Sequence, residues 1–164
     1  MKILVVSDTH GDSKNLYKVV MGHPEAKIII HLGDGERDID KIRDILKDKT
    51  ILQVCGNCDI CSSLPKILEE TIAGKKIFAT HGNLFKVKSD LDRLIQEAIK
   101  SGANVALFGH THRALNVDQE NLYIMNPGNL YGINGTYGII DIDSGNIKGS
   151  IGKVCDLEEQ SDYL

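Results

Sequence analysis

Five short apolar runs, each rich in Ile and Val and each stopped by a glycine beside a metal-binding side chain, constrain this chain more than any other feature. Lys2 to Ser7 runs into Asp8-Thr9-His10-Gly11, and Lys27 to Leu32 into Gly33-Asp34-Gly35. Thr50 to Val54 is followed, after Cys55, by Gly56-Asn57-Cys58-Asp59. Lys76 to Thr80 leads into His81-Gly82, and Asn104 to Phe108 into Gly109-His110-Thr111-His112. Runs this short and this β-branched read as buried strands. The segments after most of them carry apolar residues at helical spacing: Leu16, Val19 and Val20; then Ile39, Ile42, Ile45 and Leu46; then Leu91, Leu94, Ile95 and Ala98. The last stripe has Ser89 as its expected N-cap and Gly102 just past its end. Strand and helix in alternation predict βαβ units on a parallel sheet.

After Arg113 the pattern changes to short β-like pieces, Ala114 to Val117, Leu122 to Met125, Thr136 to Asp141 and Asn146 to Ile151. Turn signals such as Asn126-Pro127-Gly128-Asn129 and Asp143-Ser144-Gly145 separate them. Antiparallel hairpins are expected here, with Asn126 to Asn129 as a plain turn closing one of them near the site. So many strands would make one sheet very wide, so two sheets packed face to face with helices outside are expected. The length, 164 residues, predicts a single domain over 1–164. Its tail, Cys155 to Leu164, carries four acids and no base, and reads as a frayed solvated end.

Composition excludes several classes. Net charge is −4 with bases scattered among acids, so no cationic track for long nucleic acid is expected. With no Trp and 5% aromatics, a platform for stacking unpaired bases is not expected either. The first apolar run reaches Asp8 too soon for a signal peptide or a membrane span. The expectation is a cytoplasmic protein starting at Met1, with its four cysteines reduced.

Open α/β sheets place their crevice outside the carboxyl ends of the strands. Four of the six histidines and two aspartates fall there, in blocks that each contain a glycine. Carboxylate and amide oxygens mixed with imidazoles suit borderline divalent ions such as Mn²⁺, Fe²⁺, Co²⁺, Ni²⁺ or Zn²⁺, and not the all-oxygen cage of Ca²⁺. Asp8, His10, Asp34, Asn57, His81, His110 and His112 make seven donors. Seven are too many for one ion and suit two ions sharing a carboxylate.

The ordered blocks Asp-x-His, Gly-Asp, Gly-Asn-x-Asp, Gly-adjacent His and Gly-His-x-His, spanning Asp8 to His112, resemble the signature of the calcineurin-like metallophosphoesterases. Within that family the short chain with Gly-Asn-Cys-Asp is similar to the small YfcE/MJ0936-type phosphodiesterase branch. The resemblance implies an α/β fold, a four-layer α/β/β/α sandwich of two mixed sheets flanked by helices. It implies one ion on Asp8, His10 and His112, another on Asn57, His81 and His110, and Asp34 as the bridge. Manganese is the first expectation for both ions, with nickel, cobalt, iron or zinc as alternatives. It also implies hydrolysis of a small phosphodiester or phosphomonoester by metal-bound hydroxide, with Asp34, Asn57 and His110 as the catalytic residues. Separately, an even-numbered assembly through the hairpin half, a homodimer or homotetramer, is expected of a compact domain of this kind.

Many relatives carry histidine where this chain has Cys58, and that histidine is thought to help the leaving group. A thiol is a weaker acid for a leaving alkoxide, so a preference for good leaving groups is expected. Other features have plain readings as well. Asp8 and Asp34 taken singly read as helix N-caps, and His31 as a hydrogen-bonded core histidine. Neither His23 nor His31 belongs to a block. Cys55, Cys58 and Cys61 have zinc-like spacing but no fourth ligand nearby. Arg113 and Arg37 read equally as phosphate contacts or as surface arginines covering apolar neighbours. The rival function is a metal-binding protein-interaction scaffold, which is expected to go with eroded ligands.

Overall fold

A computed structural model describes residues 1–157. In the first sheet β1 (Lys2–Val6), β2 (Ile28–His31) and β3 (Thr50–Gln53) pair in parallel, joined by α1 (Ser13–Gly22) and α2 (Glu36–Lys41). In the second, β4 (Ile67–Ile72) pairs antiparallel with β5 (Lys75–Thr80), and α3 (Asp92–Lys100) leads on to β6 (Val105–Leu107), parallel to β5. β7 (Leu115–Gln119) and β8 (Leu122–Asn126) complete that sheet, with β8 parallel to β6. β9 (Thr136–Asp143) and β10 (Asn146–Lys153) return to the first. The orders are β10-β9-β1-β2-β3 and β4-β5-β6-β8-β7, two mixed five-stranded sheets flanked by helices.

Side-chain alternation along each strand builds the layers. Ile3 and Val5 of β1 point between the sheets, where they meet Ile77 and Ala79 of β5, Val105 and Leu107 of β6 and Met125 of β8. Leu4 and Val6 point the other way, onto Leu16, Val19 and Val20 of α1 and Ile39 of α2. On the far side Phe78, Ala106 and Ile124 meet Leu94 and Ala98 of α3. The inner strands are buried on both faces, which is why their sequences are apolar without a polar alternate.

Several local expectations are corrected. The second helical stripe breaks at Ile42, and Arg43–Leu46 is a 3₁₀ turn. The third helix is capped at Leu91, not at Ser89. Ser89 belongs to the preceding turn, where its N–H donates to the Lys86 carbonyl at 2.8 Å. β4 is a strand that periodicity missed: it is an edge strand with exposed Glu69 and Glu70, so no alternation marks it. Asn126 to Asn129 does not close a hairpin, because β8 and β9 lie in different sheets. Of the acidic tail, Val154–Asp156 forms a 3₁₀ turn and Leu157 packs on the α1 side of the core. Residues 158–164 lie outside the described residues. Among the described residues no helix is long and apolar enough to cross a membrane.

Candidate metal centre

The seven donors read from the sequence come from five loops at the carboxyl ends of β1, β2, β3, β5 and β6, and the fold brings all of them together. Two sheets contribute, so the donors of one face those of the other. Asp8 sits behind β1 fully buried, with its carboxylate accepting from the Ser7 hydroxyl and, at 3.1 Å, from the His110 N–H. Asp8 Oδ1 is 3.1 Å from His112 Nε2 and 3.7 Å from His10 Nε2, and the two imidazole nitrogens are 3.4 Å apart. Asp8, His10 and His112 can therefore offer three donor atoms to one cation.

The second set gathers around His81. Its Nδ1 lies 2.7 Å from the Leu32 carbonyl, an acceptor, so that nitrogen carries the proton and Nε2 is left with its lone pair. Around Nε2 lie Asn57 Oδ1 at 3.0 Å, His110 Nδ1 at 3.2 Å and Asp34 Oδ2 at 3.4 Å. Asn57 turns its amide nitrogen away, toward the Cys58 sulfur at 3.3 Å. While the His81 ring is neutral, lone pairs on His81, Asn57 and Asp34 converge, an arrangement that fits a bound cation. Asp34 stands between the sets, since the same Oδ2 is 3.9 Å from His10 Nε2. Its Oδ1 accepts the Cys58 N–H at 2.7 Å.

Electrostatics point the same way. Burial alone would raise the Asp34 pKa, but hydrogen bonds from His81, once its Nε2 takes up a proton, and from the Cys58 N–H outweigh it and hold the carboxyl well below the usual range. Burial opposes a proton on His81, yet the carboxylates of Asp34 and Asp8 raise its pKa. The pocket attracts positive charge. Burial and the nearby His81 and Lys88 charges lower His110, which favours its neutral, ligating form.

Backbone strain is concentrated here. Among the described residues nine non-glycine residues have positive φ, and five of them are Asp8, His10, Asp34, His110 and His112, at φ between 44 and 67°. The left-handed region costs such residues about 1 kcal/mol or more each, and turns the chain sharply enough to aim donors from successive loops at one point. Two glycines admit the donors. A Cβ on Gly56 would overlap the Asp34 carboxylate, and one on Gly109 would overlap the Ser7 hydroxyl and reach Asp8 Oδ2.

Three supporting residues have no role that sequence reasoning found. Asp59 accepts four backbone N–H groups, from Asp34 and Gly56 at 2.8 Å, Gly35 at 2.9 Å and Glu36 at 3.1 Å. Asp38 of α2 accepts from Thr9 Oγ1 at 2.6 Å and the Gly11 N–H at 2.8 Å, bracing the first loop. Asn126, fully buried, donates to the Gly109 carbonyl and to Thr111 Oγ1, bracing the last. Aspartate in a glycine-flanked block reads as a ligand or a cap from sequence, and only the fold separates those roles.

His31 is not a donor. It lies fully buried at the end of β2, accepting the Gly33 N–H at Nδ1, with Nε2 3.3 Å from Thr9 Oγ1. Burial lowers its pKa to about 4 from 6.5. The folded state refuses a proton that the unfolded chain accepts, so stability is complete above the unfolded pKa and falls as pH drops from about 6.5 toward 4. Between pH 7 and pH 5 this one residue is expected to remove about 2 kcal/mol. Urea unfolding of the wild type and of His31→Gln at both pH values checks this, and an equal loss in both proteins would refute it.

The three cysteines at Cys55, Cys58 and Cys61 are free thiols, and Cys58 and Cys61 line a cleft beside His10 and Asp34. Cys58 can join His10 and Asp34 in a three-donor group. A hydrogen bond to Asp34, with burial and the surrounding carboxylates, raises its thiol pKa. Arg37 lines the same cleft, and Arg113 a different one beside Thr111.

Comparison with known proteins gives consistent neighbours. The model of the calcineurin-like phosphoesterase superfamily domain matches residues 1–145. "Probable metallophosphoesterase YsnB" of Bacillus subtilis is 31% identical over 131 residues, 79% of this chain and 75% of that protein. Phosphodiesterase MJ0936 of Methanocaldococcus jannaschii is 29% identical over 164 residues, 87% of this chain and 94% of that one. Among solved structures, a predicted phosphoesterase from Streptococcus pneumoniae superposes with TM-score 0.80 at 27% identity, covering 93% of this chain and 89% of that one. Vacuolar Protein Sorting 29 from Cryptosporidium parvum superposes at 0.72 with 15% identity, covering 93% and 96%, and shares the fold.

Proposed function

The chain belongs to the calcineurin-like phosphoesterase superfamily, and from that membership we propose that it is a phosphodiesterase working through two divalent metal ions held by Asp8, His10, Asp34, Asn57, His81, His110 and His112. The observation that carries the reading is Asp34 Oδ2, which faces His10 on one side and His81 on the other, between two donor sets. When bound, a pair of divalent ions supplies charge neutralisation at the phosphoryl oxygens and an acidified water for in-line attack on phosphorus. Mixed imidazole, amide and carboxylate donors suit manganese and its borderline neighbours.

The chain's own residues do the rest. The Leu32 carbonyl fixes the His81 tautomer, Asp59 holds the loops carrying Asp34 and Asn57 in register, and Asn126 and Asp38 hold the last and first loops. His110 is tuned neutral and so is suited to ligation and phosphate contact. Cys58, its pKa raised, keeps its proton at neutral pH and offers only weak acid help to a departing oxygen. Esters with good leaving groups are therefore the expected substrates. The scaffold alternative is expected to go with eroded ligands, and here all seven donor positions are filled.

The test is hydrolysis of bis(p-nitrophenyl) phosphate by chelator-stripped protein, with and without added Mn²⁺. Turnover is expected in the metal arm alone. Silence in both arms, from folded protein that binds metal, would shift the reading to the scaffold.

A further inference from the structure

A diester has a substituent on each side of its phosphate, and one flank of the donor cluster is already shaped to receive one. Thr111, between His110 and His112, opens onto a cleft of about 470 Å³. Val87, Leu91, Phe108 and Leu115 give it an apolar lining. Val87 and Phe108 are core residues, so this surface is preformed. Two exposed cations, Lys88 and Arg113, complete it. The lysine and arginine ion pairs among the described residues all lie elsewhere, on Lys2, Lys41, Arg43, Lys47, Lys76 and Lys100.

An apolar wall beside two cations outside these ion pairs, next to the donor cluster, suits a ligand with a ring next to a second anion. Two cations suit one further phosphate, and the net charge of −4 gives no track for a longer polyanion. Resting on the phosphodiesterase reading above, we propose that the chain acts on nucleotide-type phosphodiesters, with the nucleoside in the cleft of Val87, Leu91, Phe108 and Leu115 and a second phosphate held by Lys88 and Arg113. Arg113 gives planar two-point recognition of that phosphate and Lys88 a point charge.

The experiment uses the metal-loaded full chain at low salt and two esters, thymidine 5′-(p-nitrophenyl phosphate) and its 3′-phosphorylated counterpart. Binding of thymidine 5′-monophosphate and thymidine 3′,5′-bisphosphate is measured on the same protein. The 3′-phosphate is expected to raise kcat/KM and to tighten binding by about tenfold or more, the size of one or two charge-assisted hydrogen bonds. A Lys88→Ala/Arg113→Ala double variant is expected to lose most of that advantage, and both residues are exposed, so the fold is not at risk. Equal constants for the two nucleoside esters, or an advantage that survives in the double variant, would overturn the proposal. Bis(p-nitrophenyl) phosphate separates the two readings. If metal-loaded protein leaves it intact, the phosphodiesterase reading fails, whereas turnover of it without any 3′-phosphate preference removes only the nucleotide inference.

Discussion

Asp34→Asn is expected to lower kcat for bis(p-nitrophenyl) phosphate by about 10³-fold while the protein stays folded. Removing one preorganised electrostatic partner of a developing charge costs about 10²–10³-fold, and Asp34 serves two donor sets at once. Its Oδ1 is already engaged by the Cys58 N–H at 2.7 Å, so only Oδ2 is free to face His10 and His81. An asparagine has one oxygen for both tasks. If that oxygen keeps the Cys58 hydrogen bond, the loop survives and an amide NH₂ group points at the imidazoles, where it repels a cation. Bound metal per chain, measured by elemental analysis after gel filtration, is expected to fall below that of the wild type. Unchanged turnover and unchanged metal content would remove Asp34 from the bridging role.

Asp59→Ala is expected to damage stability and site together. Four backbone N–H groups lose their acceptor. An unsatisfied buried donor costs about 1–3 kcal/mol, but Asp59 is only half-buried and water can reach part of the gap, so the sum is about 3 kcal/mol. For a chain of this length that lowers Tm by about 6–12 °C. The released groups belong to the loops that carry Asp34 and Asn57, so metal affinity is expected to drop about 10–100-fold as well. Asp59→Asn, which keeps one acceptor oxygen, falls between. A melting temperature equal to that of the wild type would show that the four bonds are replaced by water without loss.

How much of this was legible beforehand depended on whether a residue's role is set by its neighbours in sequence or by neighbours across the fold. The ends of β1, β2 and β6 could be read because apolar runs stop abruptly at glycine-flanked polar residues, a local signal. β4 could not, because Glu69 and Glu70 interrupt its pattern and an edge strand tolerates them. The seven donors stood out because five blocks repeat one motif of strand, donor and glycine. Asp59 was visible in its block but not its task, since the N–H groups it accepts belong to Asp34, Gly35 and Glu36, more than twenty residues earlier, as well as to Gly56. Asn126 looked like the start of a turn for the same reason: the carbonyl it holds belongs to Gly109, in a different loop.

The left-handed backbone at Asp8, His10, Asp34, His110 and His112 bears on how this chain can change over generations. Each of these positions is one where a glycine would relax the main chain, so the side chain persists only while something selects for it. In a lineage kept for its shape and no longer for turnover, drift is expected to reach these five positions before it touches Ile3 or Leu107, where packing alone enforces the residue. The same frame can then outlive its chemistry, its main chain relaxing at each lost donor.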